Sequence, residues 1–446
     1  MFRTKWAGGS GGPREVVRAA GRTALRCALA GLAAAVAWLA PCGGAGESRA
    51  ADDWPQWRGP KRDAVSAETG LLKKWPAGGP KLAWELKGLG KGLSTVAIVG
   101  GRLYTMGNHD GQYIMAYDLA DRKLVWKAKV GPANDQPHAT PTVDGDRVYA
   151  LGTAGDLVCV TAADGKEIWR KSLTRDFGGK VPKWKFSESV LVDGDRLIAT
   201  PGGPEAVMVA FNKKTGDVIW KCAPAEVNEA GAAAYASAVV SEGAGVRQYV
   251  TLTSRGVIGV EADNGKLLWV YHRVANRTAN IPTPVVEGDF VFVSTAYKAG
   301  SALLKLAKAG DGVKAEEVYF LPASTFQCHH GGFLLAGGCI YGADGHNQGN
   351  PISIEMATGK VAWREKQLGK GSGSLVYADG HLYYRWEDDT VALIAADPAR
   401  YTLDGSFKIP RTPGADGPGW AHPVVHDGKL YIRHGDVLFC YEVKAG

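Results

Sequence analysis
The sequence lacks most of the short signatures that would narrow its function. No Gly-x-Ser-x-Gly, His-Glu-x-x-His, P-loop or dinucleotide-binding glycine fingerprint occurs in a fitting context, so nucleophilic hydrolases, zinc peptidases and nucleotide enzymes are unsupported. Cysteine is scarce, with seven in 446 residues, and there is no Cys-x-x-Cys, no adjacent pair and no Cys-x-x-Cys-His. That argues against a disulfide framework and excludes covalently attached haem as an electron exit. Beyond residue 50 the cysteines are Cys159, Cys222, Cys328, Cys339 and Cys440, an odd number, read as buried small hydrophobes.

A retained basic surface is also missing. The formal charge of +7 comes largely from the first fifty residues, which hold seven Lys/Arg against two Asp/Glu. The remainder carries 45 basic and 43 acidic side chains, a net charge near +2. No nucleic-acid partner is expected from such a balance. The apolar run Cys27 to Cys42 is short for a membrane span, so no transmembrane segment is expected in the mature chain. With its basic flank and the following Ser48-Arg49-Ala50, residues 1–50 read as a signal peptide cut after Ala50 or Ala51. Lipidation at Leu39-Ala40-Pro41-Cys42 is the weaker reading, because proline stands where a small residue is needed. The location expected is periplasmic or extracellular, for a monomer.

What the chain does contain is a repeat. In Ala139 to Leu173, Thr140 to Val143, Arg147 to Leu151 and Leu157 to Thr161 are short β-branched runs separated by Asp144-Gly145 and Ala154-Gly155, and Glu167 to Lys171 centres on Trp169. That is four strands joined by tight turns. The plan recurs with Trp84, Trp126, Trp220, Trp269 and Trp363 in the last strand, and Tyr319 or Phe320 and Phe407 fill that place in two weaker copies. The markers are 42 to 51 residues apart, the period of four-stranded propeller blades.

The final copy, Trp420 to Tyr441, has three strands, and the missing fourth is found at Lys81 to Leu86 around Trp84. The expected fold is therefore an all-β, eight-bladed propeller over residues 81–446, its last blade closed by an N-terminal strand. Residues 51–80, with Trp54-Pro55-Gln56-Trp57-Arg58-Gly59-Pro60 and Trp75-Pro76, show no strand period and read as an ordered arm packed on the propeller. Thr174 to Phe186 is a long interblade loop suited to binding residues, and the small-residue run Ala230 to Ala236 reads as a linker.

Leu157 to Trp169, Val260 to Trp269 and Ile354 to Trp363 resemble the pyrroloquinoline-quinone-type propeller repeat. The opening Trp54-Pro55-Gln56-Trp57-Arg58-Gly59-Pro60 is similar to the start of a secreted bacterial branch of that superfamily. The superfamily includes quinoprotein alcohol dehydrogenases and the propeller lipoprotein of outer-membrane β-barrel assembly, so the resemblance implies a fold and leaves function open. Membership of the dehydrogenases would imply the quinone, a Ca²⁺ ion with oxygen ligands, an Asp base, a Trp below the quinone ring and usually two adjacent cysteines above it. The cysteine pair is absent.

Glu188 and Asn280, at the starts of innermost strands, could supply oxygen ligands to calcium, or could only hydrogen-bond neighbouring backbone, the reading preferred here. His138, His330 and Trp420 each stand eleven residues before an aromatic of their blade, and His422 lies two residues after Trp420. All four should meet at one channel mouth, as a hydrogen-bonding pocket rather than a metal site. His329 and His330, if extended, should point to opposite sides of their strand. The leading expectation is a binding or scaffold module with an unknown protein or small-molecule ligand. A calcium- and quinone-dependent dehydrogenase and an outer-membrane assembly factor are the alternatives.

Overall fold
The computed structural model describes residues 53–227 and 233–446. The expected signal segment, and Ala230 to Ala232 of the small-residue run, lie outside the described residues.

Eight antiparallel sheets follow one another around a ring. Blade two has strands Thr142–Asp144, Arg147–Leu151, Asp156–Thr161 and Glu167–Ser172, ordered from the channel outwards. Blades one and three to seven repeat this order. Blade eight takes Val424–His426, Lys429–His434 and Val437–Glu442 from the end of the chain and Leu82–Lys87 from its beginning as outermost strand. Trp84 there lies opposite Cys440. The propeller, the blade count and the closure by an N-terminal strand are as the repeat required.

The run Leu157-Val158-Cys159-Val160 shows how the core is built, since all four side chains are buried. Successive residues of a strand face opposite sides. Leu157 and Cys159 pack with Leu197 and Val209 of blade three, whereas Val158 and Val160 pack with Tyr104 and Trp126 of blade one. Each sheet is thus covered on both faces, and the hydrophobic core is a set of layers between blades. The five cysteines at Cys159, Cys222, Cys328, Cys339 and Cys440 are free and buried in these layers.

The repeat aromatics tie neighbouring blades together. Trp126 Nε1 donates to Ala162 O of blade two (3.0 Å), Trp169 to Lys213 O of blade three (3.1 Å) and Trp220 to Ala262 O of blade four (2.9 Å). Tyr319 and Trp363 make the same bond to Met356 O and Asp397 O. Trp269 differs: its Nε1 donates to Gln248 Oε1 within its own blade, although its ring still packs on Val291 and Val293 of blade five. Blade five has ten-residue outer strands, Gly300–Ala309 and Gly312–Leu321, so the turn that would receive Trp269 is displaced outward.

Residues 53–66 are threaded through the channel, and residues 68–75 cross one face of blades seven and eight, where Leu71 bridges to Lys444 and Trp75 N donates to Asp404 O. Asp53 accepts a bond from Gly100 N at one end of blade one, and Trp54 bridges to Ile98. Pro55 O accepts from Val143 N of blade two, and Trp57 Nε1 donates to Thr283 Oγ1 ahead of blade five. The chain then reverses through a tight turn in which Arg58, Gly59, Arg62 and Ala64 have positive φ. Arg62 donates to Ser189 O (2.6 Å), Val190 O (3.2 Å) and Gln56 Oε1 (2.9 Å), while Arg58 donates to Phe333 O of blade six (2.5 Å). Val65–Ser66 leaves as a fifth strand, parallel to Tyr377-Ala378 of blade seven, and Glu68 accepts bonds from Asp427 N and Gly428 N in a turn of blade eight. The arm is a hairpin plug, inserted from one face with its tip at residues 57–62.

Candidate functional site
Above the tip of the plug is a cavity of about 310 Å³. It lies at the end of the ring where the innermost strands begin, because its walls come from residues just ahead of those strands, His138, Ser189, Ser237, Thr283 and His422, and from His330 near the start of Cys328–Ala336. The plug supplies Trp57 and Arg58 as the floor.

Four of the six expected residues meet here: His138, His330, Trp420 and His422. His138 Nδ1 is 2.7 Å from Ser187 Oγ, and burial lowers its pKa. His330 packs against Trp420 with the rings tilted by 53° and their centroids 4.7 Å apart, and its Nε2 is 3.3 Å from Glu387 Oε1. The Glu387 carboxylate is itself partly desolvated, yet the His330 side chain, the Ser372 N–H and the Trp420 side chain hold its pKa down to about 2. His422 lies against Trp57, centroids 4.5 Å apart, and burial pushes its pKa down to about 3, so it is neutral.

Glu188 and Asn280 are buried beside the cavity and do not line it. Glu188 Oε1 accepts the Thr200 N–H at 2.5 Å, and burial raises its pKa to about 7 despite that bond and the Arg62 charge. Asn280 Oδ1 accepts from Asn276 N (3.0 Å) and Nδ2 (2.9 Å), and its own Nδ2 donates to Thr253 O (3.1 Å). Both side chains fasten backbone at the mouth.

A Ca²⁺ ion takes about six to eight oxygen ligands, usually several from carboxylates. The cavity wall offers imidazole, indole and hydroxyl groups, the Arg58 guanidinium, a single carboxamide at Asn347 and no carboxylate, and Glu188 and Asn280 are engaged elsewhere. The residues present therefore do not fit a calcium-held quinone. Among the described residues, no cluster of three or more His, Cys, Asp or Glu side chains is arranged to hold a metal.

His329 corrects the strand alternation. It lines the cavity together with His330, their ring centroids 4.3 Å apart. In Cys328–Ala336 the pairing with the next strand jumps from Cys328 to Phe333, and Gly332 has φ +74°, so this stretch is bulged rather than pleated. His329 bonds Ser372 Oγ (2.9 Å) and Tyr297 Oη (3.0 Å), and burial pushes its pKa down to about 3. Sequence reasoning also missed Trp57, Arg58, Tyr235 and Tyr297 as lining. The tryptophan of the long loop, Trp184, stands at the rim beside Tyr235, centroids 5.9 Å apart.

Fold and site together define a PQQ-like eight-bladed propeller with a plugged channel and a blind aromatic cavity at one mouth. Residues 110–365 match the family described as outer membrane protein assembly factor BamB, and the chain belongs to that family. Its relatives include the outer membrane protein assembly factor BamB of Shewanella oneidensis, 23% identical over 276 residues that cover 58% of this chain and 66% of the relative. The match thus spans just under two thirds of that protein. The BamB of Yersinia pestis is 23% identical over 69% of this chain and 75% of the relative. Among solved structures, BamB from Moraxella catarrhalis superposes with a TM-score of 0.58 at 13% identity, over 82% of this chain and 98% of that one. The quinohemoprotein alcohol dehydrogenase of Comamonas testosteroni gives 0.63 at 14% identity, over 89% and 81%. At such identities these superpositions establish the fold alone.

Proposed function
We propose that this propeller is a binding scaffold that engages protein partners during outer membrane protein assembly, working on the periplasmic side. The observation that carries this reading is the family match across residues 110–365. The site supports it: the channel, where a propeller enzyme could hold a cofactor, is filled by the protein's own hairpin, and the rim presents exposed Trp184 and Trp420. Partly exposed aromatic side chains of this kind are the usual anchors of protein interfaces. Among the described residues no helix is long and apolar enough to cross a membrane.

The test is site-specific photocrosslinking in cells from position 183 or 184. Adducts with proteins of the outer membrane assembly apparatus are expected. Calcium- and quinone-dependent oxidation of alcohols by the purified protein, with no such adducts, would overturn the reading in favour of the dehydrogenase.

A further inference from the structure
The cavity wall is polar yet nearly free of charge. Its lining holds no carboxylate, so a cation would find no counter-charge there. Its single guanidinium, Arg58, is turned to the protein, with Nη2 donating to Phe333 O and Asp63 O. Burial holds His138, His329 and His422 below their ordinary pKa, so these imidazoles are neutral at pH 7. The wall suits a neutral ligand.

Groups with hydrogen-bonding capacity to spare stand on several sides of it. His138, ahead of blade two, uses Nδ1 on Ser187 Oγ, and His330, in the innermost strand of blade six, has Nε2 3.3 Å from Glu387 Oε1. The other nitrogen of each ring, His138 Nε2 and His330 Nδ1, has no partner among the described residues, and neither is enclosed. Blades two and six stand on opposite sides of an eight-bladed ring. Between them, ahead of blade four, Tyr235 Oη accepts the Trp184 N–H (3.3 Å) and keeps its own proton without an acceptor among the described residues. Asn347, in a turn of blade six, adds an exposed carboxamide. Imidazole, phenol and carboxamide can each pair with a hydroxyl.

Beneath these groups the floor is an aromatic surface. The Trp57 indole is half-buried and is fixed by its bond to Thr283 Oγ1 (3.1 Å), with Ile281 beside it. The negative face of an indole attracts polarised C–H bonds. An apolar floor with hydrogen-bonding groups on three sides calls for a ligand with C–H bonds on its faces and polar atoms around its whole perimeter. A planar base or a chain end carries its polar atoms on one edge, whereas a pyranose ring carries hydroxyls all round.

We infer that the cavity binds the terminal neutral pyranose of a glycan. One C–H face lies on Trp57, and the hydroxyls pair with His138, Tyr235, His330 and Asn347. A volume of about 310 Å³ is at the small end for a ligand pocket, so it takes one ring, and the next sugar leaves between Trp184 and Trp420. This role lies beyond partner binding and stands without it.

The test is saturation-transfer NMR of the purified protein with maltose, cellobiose, lactose, mannobiose and chitobiose. Cyclohexanol, the same six-membered apolar body with a single hydroxyl, is the competitor. At least one disaccharide is expected to bind with a Kd of about 1 mM or tighter, with transfer strongest to its non-reducing ring, and to resist displacement by equimolar cyclohexanol. Tyr235→Phe, which removes one hydroxyl from the wall, and Trp184→Ala, at an exposed position, should each weaken that disaccharide several-fold with the melting temperature unchanged.

Saturation transfer to none of the five, displacement by equimolar cyclohexanol, or binding indifferent to Tyr235→Phe would each overturn the inference.

Discussion

The indole of Trp169 in blade two lies on Gly216 of blade three, where a Cβ would stand 2.8 Å from Trp169 Cδ2 and where φ is +75°. In this pair one glycine thus makes room for the aromatic of the repeat before it. Gly165 and Gly265 receive Trp126 and Trp220 in the same way. Trp169→Ala removes a buried indole and leaves a void between two blades, so a loss of about 3–5 kcal/mol is expected. Trp169→Phe, which loses mainly the bond to Lys213 O, should cost nearer 1 kcal/mol. Denaturant unfolding of both variants measures the difference, and unchanged stability in the alanine variant would refute the interblade role.

Arg433 fastens blade eight to blade one. Its guanidinium donates to Gly435 O, Ser94 O, Thr105 Oγ1, Met106 O and Gly90 O at 2.5–3.2 Å. Lysine offers a single ammonium that cannot fan out to acceptors on several sides. Each carbonyl left dry costs about 1–3 kcal/mol. Arg433→Lys should therefore destabilise the fold by about 3 kcal/mol despite keeping the charge, as thermal denaturation would show.

Glu188 makes stability depend on pH between about 4.5 and 7. Burial raises its pKa from the ordinary 4.5 to about 7, so the folded state favours the neutral acid. That contribution is fully present below pH 4.5 and is lost as pH rises through 7. Glu188→Gln, permanently neutral, should be more stable than the parent above pH 7, by up to about 3 kcal/mol, with the gap closing towards pH 5. Melting temperatures across this range would show it, and a parallel offset at every pH would contradict it.

His422 works in the opposite sense. Burial lowers its pKa from 6.5 to about 3, so its neutral form contributes stability above 6.5 that is lost as pH falls towards 3. His422→Gln should flatten the acid limb of the stability curve. An unchanged acid limb would place the titration elsewhere.

The plug makes a separate prediction. Arg62 holds Ser189 O and Val190 O from the tip of the hairpin. Arg62→Met leaves both carbonyls dry, and should cost about 3 kcal/mol and expose residues 53–66 to protease before the blades.

The fold was legible because one rule, strand alternation between two buried faces, is applied eight times, and Trp169 or Trp363 marks the same place each time. The mouth was half legible for the same reason: His138, His330 and Trp420 share a phase within their blades, and the phase survives closure. What escaped was whatever breaks the period. His329 reaches the cavity through a bulge at Gly331-Gly332, and Arg58 arrives on a segment with no repeat to place it. The signal for Arg58 was its setting between Trp57 and Gly59: two adjacent large side chains followed by a residue that permits a tight reversal.

The plug also fixes an order of events. Blades one to seven draw their four main strands from contiguous sequence, but blade eight must bring Leu82–Lys87 to Val437–Glu442, separated by roughly 350 residues of chain. Pairing over such a separation is slow. The hairpin tip is held by blades three and six at once, and its exit strand by blade seven. A ring that closes last, around its own axle, avoids having to admit the hairpin end-on. Refolding should then show one late step that slows when Arg62 is changed and is indifferent to Trp169.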